Sequence, residues 1–138
     1  MSTKPILKYK KKKIMLENSF YTITQEERGD NSIAVTVRLD AGHSIFAGHF
    51  PGQPVVPGVC MMQIVKELLD KGTAQNTLLR HGSNIKFLNF IDPVKQPEVN
   101  ITVQYVAQPD ASWKVSANIR FGEIIFFKFQ GNFISQTT

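Results

Sequence analysis

The chain's densest chemistry lies in twelve residues, Gly48-His49-Phe50-Pro51-Gly52-Gln53-Pro54-Val55-Val56-Pro57-Gly58-Val59. Three prolines and three glycines surround one histidine. That density excludes regular helix and strand, because proline fixes φ and glycine serves unusual backbone angles. The segment is a shaped loop that holds the His49 imidazole beside the start of an apolar helix. Imidazole exchanges protons near neutral pH, and a helix N-terminus offers free N–H groups at its positive end. The pair suits proton transfer next to a carbonyl whose oxygen gains charge.

Gln63 and Glu67 stand four apart in the segment that follows and share a helix face. Glu67 reads either as a solvated ion-pair partner of Lys71 or as an acid reaching the site through a water. Gln63 reads either as a buried amide that orients the loop or as a hydrogen-bond partner for a substrate hydroxyl. Cys60 falls in the first helical turn, where a thiol can become more acidic. It has no histidine base beside it in sequence and is expected to be a small core residue. His43 reads as a loop residue. The other histidines and acids show no metal-ligand spacing, and there is no nucleotide-binding glycine loop or nucleophile elbow. No cofactor is expected.

The elements that must position these groups follow from periodicity. Ser32 to Leu39 alternates, with Ile33, Val35, Val37 and Leu39 on one face, as a half-buried strand does. Phe20 to Thr24 is its expected partner through the turn Arg28-Gly29-Asp30-Asn31. Met15 to Asn18 is ambiguous and open to a short helix. Val59 to Leu69 predicts the one long helix, with Pro57 near its start and Gly72 ending it. It is apolar nearly all round and so buried, emerging at Lys66, Glu67, Asp70 and Lys71. Ile85, Phe87, Asn89 and Ile91 share a parity. Val99 to Tyr105, Trp113 to Phe121 and Ile124 to Ile134 read as further strands, separated by turns at Pro109-Asp110-Ala111 and Gly122-Glu123. Short connections predict an antiparallel meander. One face of that sheet needs a cover, and the helix is the only candidate. The expected fold is α+β, a curved antiparallel sheet wrapped around one central helix.

At 138 residues the chain predicts one domain over residues 14–138, preceded by a basic arm over residues 1–13. Lys8, Lys10, Lys11, Lys12 and Lys13 supply a charge equal to the whole net +5. The arm reads as a frayed terminus or as a site for an acidic partner. No aromatic interleaving accompanies it, so nucleic acid is not an expected partner. A single cysteine implies no disulfide. No run approaches the roughly 18 apolar residues of a membrane span. A cytoplasmic protein without membrane attachment is the expectation.

The architecture is that of the hot-dog fold, and the loop His49-Phe50-Pro51-Gly52-x-Pro54-x-x-Pro57-Gly58-Val59 resembles the signature of the bacterial 3-hydroxyacyl-acyl carrier protein dehydratases, the FabZ-like branch. Ile85-Lys86-Phe87-Leu88-Asn89-Phe90 and Pro93-Val94 resemble the strand that follows the central helix in that family. The resemblance runs from Ile14 to Ile134. It implies a homodimer, or a larger dimer-based assembly, with two sites across the interface. There the histidine of one protomer works with a carboxylate on the partner's helix, on a 3-hydroxyacyl thioester carried by acyl carrier protein. His49 would act on the α-proton, and glycine N–H groups near Gly58 would hold the thioester carbonyl. Phe50, Pro51, Gly52, Pro57, Gly58 and Val59 would line the substrate, with Phe87 and Phe90 setting tunnel depth.

The family's helix carboxylate falls at Gln63, and its usual glutamine one turn later falls at Glu67. The pair looks exchanged. Three functions therefore stand open: a dehydratase using His49 with Gln63, Glu67 or a water; a partner subunit of a heteromeric dehydratase; and an acyl-thioester-binding or thioesterase-like protein.

Overall fold

The structure, a computed structural model, describes residues 15–48 and 54–136. The basic arm and His49, Phe50, Pro51, Gly52 and Gln53 lie outside the described residues. Strands β1 (Tyr21–Gly29) and β2 (Ser32–Leu39) form a hairpin. Helix α1 (Gly58–Thr73) follows, then β3 (Thr77–Phe87), β4 (Glu98–Ala107), β5 (Ser112–Phe121) and β6 (Ile124–Ser135). They form one six-stranded sheet in the order β1-β2-β4-β5-β6-β3, with every pairing antiparallel.

The expected meander holds for β4, β5 and β6 and fails at β3. The chain between β2 and β3 carries β3 to the far edge, where it pairs with β6, and β4 returns beside β2. The first eight residues of β3 show no alternation because register shifts fall between Leu79 and His81 and between Gly82 and Asn84. Each irregularity resets the inward and outward parity that a pattern reading depends on. Met15 to Asn18 is no helix: it leads into a turn in which Asn18 has φ 68°.

Ile33, Val35, Val37 and Leu39 of β2 are buried as their alternation requires. They meet Cys60, Met61, Ile64, Val65, Leu68 and Leu69 of α1 in a core shared with Phe127, Phe129 and Phe133 of β6. Each large side chain so buried contributes on the order of 1.5–3 kcal/mol. The helix departs from expectation at both ends. Val59 in its first turn is 76% exposed, so the helix is not buried all round. At the other end Gly72 lies inside the helix, which runs to Thr73 and stops at Ala74 in the left-handed region. Gly72 serves packing: a Cβ there would stand 2.8 Å from the Tyr105 hydroxyl. Among the described residues no helix is long and apolar enough to cross a membrane.

Candidate functional site

The site is built around the start of α1. Pro57 precedes the helix in extended conformation, and its carbonyl accepts the first helical bonds, from the Cys60 and Met61 N–H groups at 3.0 and 3.3 Å. Among the described residues no side chain caps this end. The Gly58 and Val59 amides therefore lie before the helical ladder, at the positive end of the dipole. Phe87, the last residue of β3, packs on Gly58 so closely that a Cβ would stand 2.9 Å from its ring. Phe87 also lies 5.0 Å from Phe127, centroid to centroid. It remains half exposed, and Phe90 beyond it is 84% exposed. Val59 and Phe87 are thus exposed apolar side chains at the helix start, and Leu88 and Phe90 follow Phe87 in the chain with exposed side chains.

Both flanks of the His49 segment are anchored. Upstream, Ser44–Gly48 makes a 3₁₀ turn whose start is fixed by His43, which accepts the Ile45 N–H on Nδ1 at 3.0 Å. Phe20 holds this turn through its ring contacts with His43 and Phe46 at 5.5 and 5.4 Å. His43 is thus a turn-capping residue, as its loop reading anticipated. Downstream, Val56 is buried and donates its N–H to the Ile91 carbonyl at 2.9 Å.

Gln63 and Glu67 are brought together. The Gln63 Nε2 donates to Glu67 Oε2 at 2.9 Å. Glu67 is only 5% exposed. Its Oε2 also accepts the Leu16 N–H at 2.7 Å, and its Oε1 accepts the Glu17 N–H and the Tyr21 hydroxyl, each at 2.9 Å. The expected emergence of Glu67 into solvent and its ion pair with Lys71 are both contradicted. Lys71 instead pairs with Glu17 at 3.1 Å. Four donors compensate for burying a carboxylate that surface pairing would have left in water. Burial, then the charge of Glu67 and its hydrogen bond, hold the Tyr21 phenol far above its ordinary range, so Tyr21 stays a donor.

Sequence reasoning missed Tyr21 and the Leu16 and Glu17 amides, which lie 46 to 51 residues from Glu67. No local pattern signals such a contact. Cys60 is buried, and burial pushes its thiol up, away from reactivity. Among the described residues no cluster of three or more His, Cys, Asp or Glu could hold a metal ion.

Comparison with known proteins places this geometry in context. Residues 24–124 match the family model described as ApeI dehydratase, ApeI-like. The 3-hydroxyacyl-[acyl-carrier-protein] dehydratase FabZ of Clostridium acetobutylicum is 30% identical over 82 residues, which cover 54% of this chain and 58% of that protein. The chain thus spans 58% of the length of the curated relative it matches. The ApeI:P dehydratase heterocomplex of Xenorhabdus doucetiae superposes with a TM-score of 0.62 at 16% identity, over 82% of this chain and 96% of that one. A mutant thioesterase of Staphylococcus aureus gives 0.62 at 10% identity, over 85% and 93%. An uncharacterized protein of Erwinia carotovora gives 0.58 at 23% identity, over 83% and 92%. At these identities the solved structures establish the fold, and it is the hot-dog fold.

Proposed function

The chain belongs to the ApeI-like dehydratase family, and from that premise we propose that it eliminates water from a 3-hydroxyacyl thioester carried on acyl carrier protein, giving the trans-2-enoyl thioester. The observation that carries this reading is the start of α1. Amides lie outside the helical ladder at Gly58 and Val59, Phe87 covers one side, and Val56 just before them is tied to Ile91.

In this reading the thioester carbonyl accepts hydrogen bonds from the amides at Gly58 and Val59. His49 takes the α-proton, and the charge that moves onto the carbonyl oxygen is stabilised by those amides and the helix dipole. The Cα–Cβ double bond forms as the β C–O bond breaks. The imidazolium at His49 returns its proton to the departing hydroxyl, so one water leaves and no net proton is consumed. Both oxygens of Glu67 are occupied by two donors each. Gln63 is therefore the helix residue assigned to the β-hydroxyl. Phe50, Pro51, Gly52 and Pro57 would shape the entrance, and Phe87 and Phe90 the apolar channel for the acyl chain.

The working unit in this proposal is a homodimer joined through β3. Its outer edge has no partner strand among the described residues, and it carries exposed Leu78, Ile85 and Phe87, with Leu88 and Phe90 beyond its end. A long, proline-free edge that exposes Leu78, Ile85 and Phe87 is open to pairing, and a second copy supplies a matching strand. The basic arm would favour an acidic carrier by charge.

One observation favours a second reading, a subunit of a heteromeric dehydratase. Position 63 holds an amide, which cannot deliver a proton as a carboxylic acid does. The test incubates the purified protein alone with a 3-hydroxyacyl carrier thioester and identifies the product. Enoyl thioester supports the main reading. Activity that appears only on adding a carboxylate-bearing paralogue supports the second. Free carrier thiol without enoyl product contradicts both and indicates hydrolysis.

A further inference from the structure

The face of the sheet turned away from α1 carries its own pattern of charge. Ala117, Ile119, Phe127 and Phe129 are buried in the core. Alternation therefore puts Ser116, Asn118, Lys128 and Gln130 on the opposite side. Strand register lays two rows of polar side chains across β4, β5, β6 and β3 on that side. One row runs Thr102, Asn118, Lys128, Lys86, each directly paired with the next. The adjacent row runs Gln104, Ser116, Gln130, Asn84. The two rows line a groove of about 250 Å³.

Two features of this groove work against the stability of the chain alone. Lys86 and Lys128 stand directly opposite each other, and like charges so placed, with Cβ atoms about 4.5–5.5 Å apart, repel. Both are exposed, and among the described residues neither is paired with a carboxylate. No Asp or Glu lines the groove, while Lys114 and Arg120 flank Ser116 and Asn118 on the same face of β5. The second feature is Asn118 Oδ1, which is buried and accepts no hydrogen bond among the described residues. A buried acceptor left unmet is costly.

We infer that the groove binds a small, soluble, hydroxylated phosphate monoester, held by Lys86 and Lys128 on the phosphate and by Asn118 on the hydroxyl. A phosphate monoester carries about −1.5 to −2 charges at pH 7. Two opposed ammonium groups match that charge, and the bound anion removes their repulsion. The hydroxyl supplies the donor that Asn118 Oδ1 lacks. Size and lining narrow the class. Pockets for drug-sized ligands begin at about 300 Å³, so this groove suits a sugar-sized ester better than a nucleotide cofactor. The two rows are polar throughout, so they offer no apolar face to a lipid surface and no ring on which a base could stack. The inference stands apart from the dehydratase reading, whose site lies on the helix side of the sheet.

The experiment titrates the isotope-labelled full chain with glycerol 3-phosphate, methyl phosphate and glycerol, following amide signals by NMR, with vesicles of phosphatidic acid as a further arm. Glycerol 3-phosphate should saturate with a Kd of about 1 mM or lower, moving signals from residues of the two rows. Methyl phosphate, which lacks the hydroxyl, should bind about 2-fold to 10-fold more weakly, the range of one neutral hydrogen bond. Glycerol alone should not bind. Lys86→Gln combined with Lys128→Gln should weaken glycerol 3-phosphate by about tenfold or more. That variant loses a like-charge pair, so it should unfold no more easily than wild type, and arginine at both positions should retain binding. Asn118→Ala should bind the two esters alike. Absence of saturable binding by wild type, undiminished binding by the glutamine variant, or signal changes away from the two rows would overturn the inference. Binding to the vesicles without binding to the soluble ester would overturn it as well. Should Asn118→Ala not fold, the wild type decides: preference for glycerol 3-phosphate over methyl phosphate sustains the inference, and equal affinity overturns it.

Discussion

Phe87, at the end of edge strand β3, lies against Gly58, the first residue of helix α1, at a distance that leaves no room for a Cβ. One contact thus joins the sheet edge to the helix start and sets the wall of the candidate site. A methyl group at 58 would meet the Phe87 ring at 2.9 Å. Real Cβ contacts do not come so close, so the ring or the helix must move. Gly58→Ala is expected to lower the dehydration rate by about tenfold or more, by displacing the amides to which the proposed mechanism assigns the carbonyl. Its stability should change by no more than about 1–3 kcal/mol, because the half-exposed ring can shift. Denaturant unfolding and steady-state kinetics on the same variant check this; unchanged kinetics would show that the contact does not shape the site.

Gly72 offers a contrasting case away from the chemistry. Alanine raises helix propensity by about 1 kcal/mol, but the new Cβ would stand 2.8 Å from the Tyr105 hydroxyl and 3.0 Å from its ring. Tyr105 is buried and held edge-on against Trp113. Gly72→Ala should therefore destabilise the fold by about 1–3 kcal/mol, with the activity of the remaining folded protein unchanged. A rise in the denaturant midpoint would contradict the packing argument.

Tyr21 gives the fold a defined alkaline limit. Its phenol, ordinarily at 10.0, is raised by burial first and by the adjacent Glu67 second. Above that ordinary value the unfolded chain has released the proton and the folded chain has not. The unfolded state then binds fewer protons, so stability falls as pH rises, by up to about 1.4 kcal/mol per pH unit. Below pH 10 the contribution is fully present. Tyr21→Phe should cost about 1–3 kcal/mol at neutral pH and should flatten the decline above pH 10. Denaturant midpoints of the two proteins between pH 8 and 11 test this. Parallel curves would refute it.

The edge strand makes a prediction about assembly. Leu78 is 49% exposed and Phe90 is 84% exposed in the single chain. If β3 is the dimer edge, Leu78→Lys combined with Phe90→Lys should weaken association by about 10-fold to 10³-fold, as loss of apolar anchors does. Sedimentation equilibrium would read this as a shift from dimer towards monomer. A wild type that is monomeric throughout, or a variant that dimerises equally well, would place the interface elsewhere.

What the sequence discloses depends on how local the cause is. The alternation of Ile33, Val35, Val37 and Leu39 identifies β2 because one flat face is buried. The same logic fails for Thr77 to Asn84, where two register shifts scramble parity on an edge with little to bury. Pro57 and the apolar run after it mark where α1 begins. Gly72 misleads about where it ends, because the glycine answers to Tyr105, 33 positions away in the chain. Charge misleads at Glu67 for the same reason. A surface ion pair with Lys71 is the local expectation, whereas the partners are backbone amides and a tyrosine brought in from β1 and the segment before it. The His49 motif is legible as a motif, although His49 lies outside the described residues.

The account turns on His49, and one measurement addresses it most directly: formation of enoyl thioester from a 3-hydroxyacyl carrier thioester, by wild type and by His49→Ala. The proposal expects turnover by the wild type alone and a loss of about 10²-fold to 10⁴-fold in kcat for the variant, the range expected for removal of a general base. A His49→Ala protein that dehydrates at the wild-type rate would contradict it.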